Sequence, residues 1–260
     1  MTNLELKEFL DEKYIQFNNL DFIPNDPILI PHQFKYHNDI EVAGFFAAVI
    51  AWGNRKSIIK NALNLMERMD NSPADFILNF SQTDLKNFEG FKHRTFNEID
   101  CASFCFALNK IYQEHKSLGN YFKVLFQKHK NQASVISEFK TEFFTNSFAD
   151  RSKKHLPSPL KGSAAKRMCM YFRWMVRKDQ FDVDLGIWRN LISPSLLHLP
   201  LDVHTSNVGR TLGILRRKQN DWKAVEEITN NLKIMDPKDP TKYDFSLFGL
   251  GVNEHFAPSI

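Results

Sequence analysis

The chain has little that would staple it, thread it through a membrane or mark a common cofactor fold. Only three of its 260 residues are cysteine, and Cys101, Cys105 and Cys169 cannot by themselves complete a four-thiolate metal or iron–sulfur site. Nor do they suggest a disulfide framework, so a reducing cytoplasm is the expected compartment. Cys101 and Cys105 lie one helical turn apart and read as small core hydrophobes. There is no run of eighteen apolar residues, so no membrane-spanning helix and no membrane partner are expected. The acid-containing start of the chain does not resemble a secretory leader. Glycine is sparse, at 10 residues, and β-branched runs are few, which argues against an all-β fold. Walker A, GxGxxG, HExxH and nucleophile-elbow patterns are all missing, and neither a metal nor a cofactor is expected.

What the chain does have is apolar helical text. Hydrophobic residues make up 43% of it, and phenylalanine alone contributes 24. At this length the core can be one large domain or two small lobes. Apolar residues at helical spacing predict helices over 2–18, 39–51, 55–69, 98–115, 133–145, 164–177, 203–212, 222–233 and 242–250, with a shorter one opened by Ser72-Pro73. Asp39, Asp202 and Asp221 stand where caps belong. The expected architecture is all-α: two helical lobes with a cleft between them, divided as residues 1–150 and 151–260.

Charge is unevenly spread. The net charge is only +4, yet nine basic residues and no acid lie between Arg151 and Lys178, which leaves −5 for the rest. Such a concentration points to an anionic partner, most economically nucleic acid. Within it, the Pro/Gly/Ser-rich stretch 155–163 precedes a helix whose first turn holds Lys166. An amine nucleophile must be neutral, and a helix N-terminus, partial burial and the adjacent Arg167 all favour that form. Downstream, Asp202 in Leu199-Pro200-Leu201-Asp202-Val203-His204 is at once an N-cap and a carboxylate on a rigid mount, suited to stabilising a positive sugar or handling a proton. His204 has no evident companion ligands and reads as structural.

These two segments resemble the helix-hairpin-helix DNA glycosylase superfamily. The stretch Lys161-Gly162-Ser163-Ala164-Ala165-Lys166-Arg167 is similar to its hairpin-and-lysine segment, with Gly162 and Ser163 in place of the usual hairpin glycines. Leu199–Thr205 is similar to its aspartate segment, and Val208-Gly209-Arg210-Thr211-Leu212-Gly213 to the end of the following helix. The interval from Lys166 to Asp202 is a wide 36 residues. With an atypical hairpin, the likeness is greatest to the archaeal 8-oxoguanine DNA glycosylases. The segments Phe172–Arg177, Asp184–Trp188 and Tyr243–Gly251 also resemble an uncharacterised bacterial family.

The resemblance implies base excision by base flipping. Lys166 would attack the sugar C1′ and form a Schiff base, with β-lyase activity as a further step, and Asp202 would assist. Lys161 is the alternative nucleophile. Asp244 and Phe248, one turn apart, would bind and stack an oxidised purine, with Met170 and Trp52 lining the pocket. Lys161, Gly162, Ser163, Arg167, Arg173 and Arg177 would grip double-stranded DNA carrying the damaged base, and the protein would act as a monomer. Two other readings remain open on the residues alone: a non-catalytic nucleic-acid-binding protein of the same fold, and a helical protein-interaction module.

Overall fold

The structure, a computed structural model, describes residues 2–145 and 148–256. Among these residues it is mostly helical. Helices α1 (Asn3–Phe17), α2 (Leu29–His32), α3 (His37–Val49), α4 (Arg55–Glu67) and α5 (Pro73–Asn79) lead to a short hairpin, β1 (Lys92–His93) and β2 (Phe96–Asn97). Then come α6 (Glu98–His115), α7 (Leu118–His129), α8 (Gln132–Phe143), α9 (Lys166–Val176), α10 (Val203–Thr211), α11 (Trp222–Met235) and α12 (Tyr243–Val252). No helix among the described residues is long and apolar enough to cross a membrane.

Sequence caps account for most helix starts. Thr2 forms a reciprocal capping box with Glu5, Ser117 caps α7, and Asp202 and Asp221 accept backbone N–H bonds at α10 and α11. Asp39 does not cap its helix. It lies inside the first turn of α3, and its carboxylate accepts from the backbone of Ala74 at 3.0 Å. The glycines near the C-terminus do not stop α12 early, because the helix runs on to Val252. They are packing positions instead: a methyl group on Gly249 would strike the Phe17 ring, and one on Gly251 would come within 2.9 Å of His204 Cβ.

The chain forms two compact units, divided differently from the expected halves. The first, here the Lys166 unit, combines the segment up to Phe22, Asn131–Ser134 and the chain from Ser158 onward. Here α12 is packed with α1 and with α10. The N-terminal helix thus belongs with the C-terminal portion of the chain, which linear division does not anticipate. The reason is visible in α1: Leu6, Leu10 and Tyr14 are buried on one face, and the Ser246 hydroxyl of α12 donates to the Leu10 carbonyl at 2.7 Å.

The second, the Phe45 unit, spans Ile23–Lys130 and Val135–Pro157. Its core is aromatic. Phe45 packs against Phe46, Phe104, Phe139 and Phe143, with ring centroids 5.7–6.1 Å apart. Within this core Glu41 is buried but fully used. Its carboxylate accepts from Leu118 N at 2.8 Å, Gly119 N at 3.0 Å and Tyr112 Oη at 2.9 Å, closing the N-terminus of α7. A buried carboxylate is tolerated because three donors replace its water.

Candidate active site

Two helix starts bring Lys166 and Asp202 together. Lys166 is the first residue of α9, and Asp202 is the N-cap of α10. Across 36 residues of chain, the Lys166 amine donates to Asp202 Oδ2 at 2.9 Å. The other oxygen, Oδ1, accepts from Thr205 N at 2.9 Å. Capping and ion pairing therefore use different lone pairs of one carboxylate. Burial pushes the Asp202 carboxyl up, but the Lys166 ammonium and the Thr205 backbone donor outweigh it and hold Asp202 below its ordinary value. The lysine side chain keeps 39% of its surface exposed and the aspartate 15%, so a substrate atom can reach the amine.

The lysine is delivered by strained backbone. A 3₁₀ turn over Pro159–Lys161 ends at Gly162 in the left-handed region, φ 88°. Ser163 then bridges to Asp221, and Ala165 is left-handed too, φ 49°, with no side-chain cap. An alanine in that conformation costs about 1 kcal/mol or more. The lysine start of α9 is thus defined by a turn in place of a capping side chain.

Behind the pair lies a buried charge array. Arg173, two turns further along α9, pairs with Asp244 of α12 and reaches Asp184 Oδ1 at 3.2 Å. Its guanidinium carbon lies 4.3 Å from the Phe245 ring centroid. Burial drives the Asp244 carboxyl up to about 6; Arg173 works against that shift, while the Asp202 charge adds to it. Arg177 meets Asp184 Oδ2 at 2.5 Å, Asp239 and Asp179 at 2.9 Å, and the Tyr14 hydroxyl at 3.0 Å. The sequence pattern did not assign Asp179, Asp184, Asp239 or Tyr14 to Arg177, because these groups lie outside its helix.

The array corrects the expected DNA grip. Arg173 and Arg177 are 4% and 1% exposed and committed to carboxylates, so they do not face phosphates. Of the nine cations between Arg151 and Lys178, six are ion-paired within their own unit: Arg151 with Asp100, Lys153 with Asp150, Lys178 with Asp182, and Lys166, Arg173 and Arg177 as described. Arg167 is partly buried, and burial lowers its guanidinium to about 10. Lys161 and Gly162 are exposed and Ser163 is partly so. Among the described residues no carboxylate is ion-paired with the Lys161 amine, which sets it apart from Lys166 as a nucleophile candidate.

The other expected site residues separate into two groups. Asp244 is coupled electrostatically to Asp202 and Lys166. Phe248, one turn on, is partly exposed and meets the His204 ring edge-on at 6.3 Å. His204 is two residues beyond Asp202, so both α12 residues belong to the same neighbourhood. Met170 is buried on α9. Asp244 itself, however, is spent on Arg173, so it is not a vacant acceptor for a base. Trp52 belongs to the Phe45 unit, where His155 stacks on it at 5.8 Å and His93 meets it edge-on at 5.2 Å. Among the described residues no cluster of three or more His, Cys, Asp or Glu could hold a metal ion.

The fold and site define a mostly helical protein with a lysine–carboxylate pair at two helix N-termini. The chain belongs to the family described as Protein of unknown function (DUF2400), whose profile matches residues 26–253. No curated protein and no solved structure matches it.

Proposed function

We propose that this protein is a DNA base-excision glycosylase with a helix-hairpin-helix-like site, in which Lys166 is the nucleophile and Asp202 its acidic partner. The observation that carries the reading is the 2.9 Å contact between a half-exposed amine and a carboxylate on a rigid helix cap. A lysine used only for solvation does not need a half-buried, doubly engaged partner.

The chemistry follows from that contact. Asp202 accepts a proton from the Lys166 ammonium, and the freed amine lone pair bonds to C1′ of an extruded nucleotide. The glycosidic C–N bond breaks, with its electron pair leaving on the base, which takes up a proton. The new C1′ amine gives up a proton, its lone pair forms the imine, and the sugar ring oxygen departs as a protonated hydroxyl. Asp202 hands the proton it took from Lys166 to the departing base, and the carboxylate so restored offsets the charge at C1′ while that carbon is electron-poor. An oxidised purine such as 8-oxoguanine is the proposed base. Loss of the 3′ phosphate by β-elimination through the same imine would add lyase activity.

Borohydride trapping on duplexes carrying a panel of lesions tests this. A covalent adduct is expected with the natural protein and with Lys161→Ala, and none with Lys166→Ala. If no lesion gives an adduct while salt-sensitive DNA binding persists, the chain is a non-catalytic nucleic-acid-binding protein. If DNA does not bind even at low salt, a helical protein-interaction module is the better reading.

A further inference from the structure

The Phe45 unit carries a cationic face that linear charge density does not reveal. Lys56 and Lys60 are one turn apart on α4, and Lys92 and Arg94 flank His93 in the β1–β2 hairpin. All four are exposed. None has a carboxylate within ion-pair distance among the described residues, whereas six of the nine cations in 151–178 do.

The fold holds these two pairs side by side. The Asn61 amide, next to Lys60, bonds the His93 Nδ1 at 2.9 Å. The other ring nitrogen of His93 contacts the Trp52 carbonyl oxygen at 3.2 Å. Arg94, left-handed at φ 54°, lies across Gly53, where a methyl group would come within 3.0 Å of its guanidinium. Gly53 itself has φ +102°, so glycine is required there for conformation as well as for room. Residues about 35 positions apart are thereby fixed into one surface. Beside it runs an open groove of about 700 Å³ lined by Lys56, Lys60, Asn61 and Asn64, with Glu67 as its one acid.

We propose that this face, Lys56, Lys60, Lys92 and Arg94 around the Trp52–Gly53 turn, binds the phosphate backbone of duplex DNA. Four unpaired cations on a rigid mount suit an extended polyanion. An anionic lipid surface fits less well, because firm membrane-surface binding usually adds inserted apolar side chains to the electrostatic attraction. The large exposed hydrophobics of the chain include none between residues 52 and 64 or between 92 and 94. The proposal shares its nucleic-acid partner with the glycosylase reading but none of its chemistry, so either can fail alone.

The test uses the full chain and a fluorescently labelled, undamaged duplex, with binding followed by anisotropy across a salt series. Replacing all four cations, as K56Q/K60Q/K92Q/R94Q, should weaken binding at least tenfold at low salt. It should also lower the slope of log affinity against log salt by about 3–4, since each phosphate contact contributes about 0.9. The pairs K56Q/K60Q and K92Q/R94Q should each give about half the slope change, which keeps the test valid if the fourfold variant folds poorly. Unchanged affinity and slope in a folded fourfold variant would overturn the proposal. So would failure of the natural protein to bind the duplex at low salt, or preferential binding to vesicles of equimolar phosphatidylcholine and phosphatidylserine. Borohydride trapping reads the Lys166 chemistry separately.

Discussion

Two cation-rich regions of this protein behave in opposite ways. The segment from Arg151 to Lys178 is densely basic in sequence, yet six of its nine cations are paired with carboxylates that lie outside the segment. Lys56, Lys60, Lys92 and Arg94 are scattered in sequence, yet they stand together and none is ion-paired among the described residues. A run of basic residues therefore reports composition, not potential. Whether the charge reaches a partner depends on where the fold brings the acids.

The largest expected effect comes from breaking the neutralised region. Arg177→Met leaves Asp184, Asp239 and Asp179 facing one another without their shared cation. It should cost about 3–5 kcal/mol in urea unfolding, the range for breaking a buried ion pair. If the loss is under about 1 kcal/mol, the buried network is not structural and the contrast between the regions collapses.

A pH profile sharpens the same point. Asp244 is raised to about 6 in the folded chain against an ordinary 3.8. The folded state therefore binds this proton more tightly than the unfolded state. The stability it contributes is complete below about pH 4 and is lost as pH rises through about 6. Asp244→Asn removes that dependence. Its unfolding free energy should gain relative to the natural protein between pH 4 and 6, read as a pH-dependent difference in melting temperature. A constant difference across that window would place the titration elsewhere.

Asp202→Asn should change stability by no more than about 1 kcal/mol, because asparagine still caps α10 and the lost partner is partly exposed. Trapping should nevertheless slow by about 100-fold or more, the usual scale for a removed proton acceptor. A stability loss of several kcal/mol with trapping untouched would make the carboxylate a structural group.

Smallest of all is the expected stability change for Arg94→Gln, within about 0.5 kcal/mol because the side chain is exposed and unpaired. In calorimetry it should be nearly silent, and only the salt slope of DNA binding should respond, by about one.

Much of the fold was legible in the sequence, and for stated reasons. Helical periodicity and the side chains of Asp202 and Asp221 act locally, so α6 begins at the predicted Glu98 and α10 and α11 begin directly after their caps. Lys166 and Asp202 were legible as a pair only through resemblance, since 36 residues of intervening chain carry no local signal of contact. The buried role of Arg173 and Arg177 was not legible. An arginine on an amphipathic helix looks the same in sequence whether its partner is water, phosphate or a distant aspartate.

The sequence alone determined the helical class, the caps and the presence of a lysine at a helix start after a Pro/Gly turn, because propensity, capping and turn chemistry operate over a few residues. Tertiary structure decided the rest. It docked the N-terminal helix onto α12, set the Lys166 amine against Asp202, withdrew Arg173 and Arg177 into a carboxylate array, and left Lys56, Lys60, Lys92 and Arg94 facing outward. These outcomes depend on which distant groups share a volume. Coulomb energy and desolvation act through space, and the order of residues along the chain does not specify them.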